Sequence, residues 1–183
     1  LTTADVNLAK DVMARDARVN ALEVQVDEDC SHIIARRQPA ARDLRMIMMM
    51  VKTITDLERI GDEATKIART AQRIYEQDRM YKPRFNEIKS MVGLVREMLR
   101  TSLDSFARLD VSQTVEVAKQ DEQVDEQFRA AMRQLITFML EDPRTISMSL
   151  EVLFVAKAIE RIGELSDVDF PALLGILNAG GAH

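Results

Sequence analysis

The 183-residue sequence has no tryptophan, one cysteine, four prolines and six glycines, and aromatic side chains make up only 4% of it. So few turn formers, with no alternating apolar pattern or hairpin signal, exclude a chain of many short strands. The lone Cys30 can close no internal disulfide and has no CxxC neighbour, which excludes a disulfide-stapled scaffold and fits a reducing compartment. We therefore expect a cytoplasmic protein. The longest strongly apolar run, Met46 to Val51, is far short of the ~20 residues that cross a bilayer, and no signal-peptide pattern opens the chain. Any membrane role is then peripheral. The formal net charge is -5 with the signs interleaved, and without a Lys/Arg-rich run there is no footprint for a phosphate backbone, so nucleic acid is not an expected partner. GxGxxG, P-loop and nucleophile-elbow motifs are absent, as is a histidine base beside a serine or cysteine nucleophile, which argues against an enzyme.

What the chain has is Ala, Leu, Met, Glu, Arg and Lys at helical periods, which predicts an all-α fold. Val12, Val19, Val26 and Ile33 repeat every seventh residue within a first helix, from about Ala4 to Arg37, that Pro39 stops. A second helix spans about Ala41 to Gln77, a third about Arg84 to Ala107, and a fourth about Val111 to Leu140, before Asp142-Pro143. The fifth runs from near Thr145 at least to Leu165.

The order of long helix, proline hinge, long helix and E-R-I-G occurs twice: Pro39 precedes Glu58-Arg59-Ile60-Gly61, and Pro143 precedes Glu160-Arg161-Ile162-Gly163. The chain reads as a duplication, with residues 1–80 as a first unit, 84–167 as a second, and 168–183 as a tail of uncertain order. The linker holding Tyr81, Lys82 and Pro83 separates the units.

Each copy carries acid pairs one helical turn apart. Asp62 follows Glu58, and Glu164 follows Glu160, at i+4. Asp16 and Asn20 lie 23 and 19 residues before Pro39, while Glu58 and Asp62 lie 19 and 23 after it. Asp121 and Asp125 lie 22 and 18 before Pro143, with Glu160 and Glu164 17 and 21 after it. In antiparallel hairpins rising about 1.5 Å per residue, these pairs arrive at matching heights. Clustered carboxylates on an apolar stripe are costly unless cations neutralise them, and oxygen donors suit Mg, Ca, Mn or iron. The same acids also fit a wet end of each hairpin, solvated or paired with Arg59 and Arg161.

Arg37-Gln38-Pro39, Ala41-Arg42-Asp43-Leu44-Arg45 and Asp56-Leu57-Glu58-Arg59-Ile60-Gly61-Asp62 resemble the first-repeat signature of the PhoU family of phosphate-specific transport system accessory proteins. Ala156-Lys157-Ala158-Ile159-Glu160-Arg161-Ile162-Gly163 and Asp121-x-x-Val124-Asp125 resemble the second. The resemblance implies two tandem three-helix-bundle repeats and a metal at the acid pairs, with Fe, Mn, Mg and Zn undistinguished. Asp16, Asn20, Glu58, Asp62, Asp121, Asp125, Glu160 and Glu164 are the candidate ligands. It also implies a homodimeric negative regulator of the phosphate-starvation two-component response. Its partners would be the ATPase subunit of the phosphate ABC transporter and the phosphate-sensing histidine kinase. The alternative is a carboxylate-metal helical-bundle enzyme, but the Glu-x-x-His ligands of di-iron bundles are missing.

The sequence departs from the family pattern in three places. The family's opening helix has no counterpart before Leu1, so we expect an upstream segment to be missing. The Asp-His-Ala-x-Asn-Ile continuation is lost after Glu164, and Asn20 offers a neutral oxygen where the family favours an acid. Met46, Met48, Met49 and Met50 read as packing into a core or an interface rather than as a soft-metal site. Cys30 and His32 are too sparse for zinc, and His183 lies in the tail.

Overall fold

Helical periodicity and two proline hinges determine the architecture. The computed structural model describes residues 5–76, 86–110 and 112–179, with side chains up to Ser166 apart from those of Ala41 and Glu76. The Tyr81–Pro83 linker and residues 180–183 lie outside the described residues. Among the described residues five α-helices follow one another: α1 Val6–Arg37, α2 Ala41–Glu76, α3 Asn86–Arg108, α4 Thr114–Glu141 and α5 Ile146–Ala179. Their number and order are those expected, and α5 continues past Leu165, through Pro171, to Ala179.

Local chemistry sets the ends. The Asp5 side chain caps α1 by accepting from the Leu8 N–H at 3.0 Å, satisfying a donor left over in the first turn. At the other end Arg36 and Arg37 face the negative end of the helix dipole. Gln38 adopts a left-handed conformation, φ 43°, and its N–H bonds the Ile34 carbonyl; Pro39, with no N–H, cannot extend the helix. The second hinge is a single 3₁₀ turn, Pro143–Thr145, capped by the Asp142 carboxylate, which accepts from the Arg144 N–H at 3.0 Å. Thr145 Oγ1 donates to the Phe138 and Asp142 carbonyls, taking up acceptors at the end of α4.

α3, α4 and α5 pack on one another, α1 packs on α2, and α2 packs on α5. The main core lies in the three-helix group. Met91, Val95 and Met98 of α3 meet Val117, Val124 and Leu135 of α4 and Val152, Val155 and Ile159 of α5. Ser102 Oγ donates to the Ser166 carbonyl at 2.9 Å, a buried link from α3 to α5.

α1 is covered differently. Val12, Val19 and Val26 are half-buried and Ile33 is exposed, because α2 alone among the described helices packs against them. The methionine run also divides. Met49 is buried and Met46 half-buried, but Met48 and Met50 are 56% and 42% exposed. Residues in sequence fan out by about 100° each around a helix, so they cannot share one core. Among the described residues no helix is long and apolar enough to cross a membrane.

Candidate carboxylate clusters

Asp16 and Asp121 each lie across a hairpin from an E-R-I-G glycine. Built on the backbone, a Cβ at Gly61 would lie 3.8 Å from Asp16 Oδ1 and 3.5 Å from Val19 Cγ1. At Gly163 it would lie 3.6 Å from Asp121 Oδ1 and from Val124 Cγ1. Asp16 and Val19 on α1 are thus the counterparts of Asp121 and Val124 on α4, and each E-R-I-G glycine faces its acid across the hairpin. The neighbourhoods differ in one respect. Val95 of α3 comes within 3.5 Å of the Gly163 position, whereas the three nearest atoms to the Gly61 position all belong to α1. Beside α2, a cavity of about 370 Å³ opens among Val12, Ile60, Ile67, Tyr75, Val95 and Ile162.

In the first hairpin Glu58 and Asp16 are half-buried, while Asn20 and Asp62 are exposed. Burial, followed by the charges of Asp62, Glu23 and Asp16, pushes the Glu58 carboxyl above the usual carboxylate range, with Arg59 opposing. Asp16 Oδ1 is buried and has no hydrogen-bond partner among the described residues. Glu23 is therefore a member of this cluster that the acid-x-x-x-acid spacing did not reveal; it lies three residues after Asn20, off that spacing.

In the second hairpin Glu160 is buried, Asp121 and Asp125 are half-buried, and Glu164 is exposed. Lys157 Nζ donates to Glu160 Oε1 at 2.6 Å, and this bond holds the ammonium protonated above the ordinary lysine range despite partial burial. Arg129 donates to Asp125 Oδ2 at 2.8 Å. Arg59 and Arg161, one of the alternatives for neutralising the cluster acids, make their ion pairs elsewhere. Arg59 pairs with buried Asp56 at 3.3 Å, and Arg161 reaches Glu63 at 3.6 Å, from α5 across to α2. Glu63, also buried, is bonded by Lys66 at 2.8 Å. Asp56 and Glu63 are buried acids that periodicity marked only as helix members.

Among the described residues no three or more His, Cys, Asp or Glu side chains are gathered as a metal-binding group. The donor chemistry nonetheless separates the clusters. The first offers hard oxygen donors and an orphaned buried oxygen on Asp16, which fit a divalent cation. The second likewise leaves Glu160 Oε2 buried without a hydrogen-bond partner among the described residues, but two of its acids are already bonded to side-chain cations, which makes it the poorer fit.

The PhoU domain family model matches residues 1–71 and 88–167, so both matched segments contain an E-R-I-G and its acid pair. A phosphate-specific transport system accessory protein PhoU homolog of Pseudomonas putida is 46% identical over 165 residues, covering 90% of this chain and 64% of that protein. The accessory protein PhoU of Escherichia coli K12 is 46% identical over 160 residues, covering 87% of this chain and 66% of its own length. This chain thus spans just under two thirds of those relatives. The crystal structure of PhoU from Pseudomonas aeruginosa superposes with a TM-score of 0.92 at 41% identity, covering 98% of this chain and 85% of that one.

Proposed function

This chain belongs to the PhoU family, and from that premise we propose that it is a regulatory adaptor in phosphate homeostasis. It acts as a negative regulator of the phosphate-starvation response, between the ATPase subunit of the phosphate ABC transporter and the phosphate-sensing histidine kinase. It works in the cytoplasm as a homodimer, by presenting surfaces rather than by turning over a substrate. The observation that carries this reading is the identity to named phosphate-transport accessory proteins across both E-R-I-G segments.

A second observation supports a role in protein contacts. Leu44 and Met48 on α2 and Ile146, Leu150 and Phe154 on α5 step by four residues just after their hinges and are 38% to 66% exposed. Each hairpin therefore has an uncovered apolar row near its tip, a feature of protein-binding surfaces. Leu44 and Ile146, and Met48 and Leu150, are equivalent positions in the duplication.

We read residues 1–80 and 84–167 as two copies of a three-helix unit, with no described helix taking beside Gly61 the place that α3 takes beside Gly163. The cation in this proposal is a hard divalent metal or iron, held by Asp16, Glu23, Glu58 and Asp62 with Asn20 as a neutral donor. It would supply positive charge that relieves the repulsion among those acids and fixes α1 against α2.

Binding of the purified chain to the ATPase subunit and to the kinase's cytoplasmic portion tests the adaptor role. Retention of both, weakened by Leu150→Asp with Phe154→Asp, is the expected result. Retention of neither would overturn it.

A further inference from the structure

The two carboxylate clusters are copies in sequence, and the residues beside them have diverged in opposite directions. Three residues before Glu160 stands Lys157, its ammonium bonded to Oε1 at 2.6 Å and in reach of Oε2. The same ammonium lies 5.7 Å from the centre of the Phe128 ring on α4, within the distance at which a ring face attracts a cation. Three residues before Glu58 stands Thr55, whose hydroxyl donates to the Val51 carbonyl at 3.0 Å and brings no charge. The counterpart of Phe128 is Glu23, since both stand three residues after the second member of the acid pair, Asn20 or Asp125. Where the first hairpin has a hydroxyl and a further carboxylate, the second has an ammonium and an aromatic face to seat it. Arg129 takes Asp125 in addition.

We propose that Lys157 is the resident cation of the second repeat's carboxylate cluster, seated on Phe128, and that it excludes a divalent metal from Glu160. An ammonium carried on the same helix needs no association from solution, so it competes with any free metal at a high effective concentration. A divalent ion at Glu160 would also have to displace or repel it. Cation uptake then differs between the repeats even though both carry E-R-I-G. This inference rests on the reading that the family's acid pairs are cation sites.

Equilibrium dialysis of the metal-stripped 183-residue chain against Mn²⁺, followed by elemental analysis, tests it. Glu160→Ala is expected to leave the metal content of the chain unchanged. Lys157→Thr, which installs the first repeat's residue, is expected to gain about one further Mn²⁺ per chain, removed again when Glu160→Ala is added. A fall in metal content in the single Glu160→Ala variant, or no gain in folded Lys157→Thr, overturns the proposal. A readout on the native sequence guards against a Lys157→Thr chain that fails to fold. In the reductively ¹³C-methylated chain, the Lys157 signal should stay unshifted on titration with Zn²⁺, and its displacement overturns the proposal. Failure of the first-cluster reading is separately visible as native metal content that Glu58→Ala does not lower.

Discussion

Lys157 donates to Glu160 at 2.6 Å, one helical turn away on α5, and this ammonium is the neutralising partner of a carboxylate only 6% exposed. Lys157→Met leaves that charge buried without the bond. The variant is predicted to lose about 1–3 kcal/mol, below the range for a fully buried pair because half of the lysine side chain stays in water. Adding Glu160→Gln should recover much of the loss, which a double-mutant cycle of denaturant midpoints measures. The bond raises the lysine's folded value above its unfolded one, near 10.4, so its stabilisation is complete below that pH. The native advantage should stay flat from neutral pH towards 10 and shrink as pH rises through the folded value.

Glu58 has the opposite character. Its carboxyl is pushed up by burial and by Asp62, Glu23 and Asp16. The folded chain therefore keeps this proton to higher pH than the unfolded chain does. Stability falls as pH rises from the unfolded glutamate range, about 4.3, through the folded value, and the penalty persists at neutral pH. In the metal-stripped chain Glu58→Gln is predicted to melt above the native sequence at pH 7, with the gap closing below about pH 4. A gap independent of pH would show that the carboxylate's charge is not responsible.

The glycines of the two E-R-I-G segments are not required by space. A Cβ at Gly163 meets Val95, Asp121 and Val124 at 3.5 to 3.6 Å, ordinary contact distances. Alanine there gains helix propensity, so Gly163→Ala is predicted to stabilise by about 0.5–1 kcal/mol in thermal unfolding. Gly61→Ala should behave alike. Destabilisation by either would mean that the hairpins sit closer than these distances.

Met98 of α3 is fully buried among α4 and α5. Met98→Ala should cost about 2–5 kcal/mol, while Ile136→Ala, at a position 45% exposed, should stay within about 0.5 kcal/mol. Chemical denaturation of the two variants checks the contrast, and with it the position of the core.

Much of this was legible in the sequence for identifiable reasons. Pro39 and Pro143 remove backbone donors, so the hinges and the helices between them follow from composition and period. Counting outward from a hinge put Asp16 level with Asp62 and Asp121 level with Glu164, each next to the glycine that its acid faces in the structure, because antiparallel helices share one rise per residue. What could not be read was which charge finds which partner. Lys157 was visible beside Glu160, but an i,i+3 lysine reaches solvent as readily as a carboxylate. Arg161 was one candidate partner for its own cluster and instead crosses to Glu63, a choice made by the packing of α5 on α2, which no single helix's periodicity encodes. The exposure of Met48 and Met50 likewise depends on which faces of α2 receive a neighbour.

The most direct test of the account is a phosphate-starvation reporter in a bacterium deleted for its own PhoU and supplied with this chain. In high phosphate the reporter should be repressed at least severalfold, and the repression should weaken when Leu150→Asp and Phe154→Asp disrupt the exposed row on α5. A reporter that stays fully induced while the folded chain accumulates would contradict the assignment of a negative regulator.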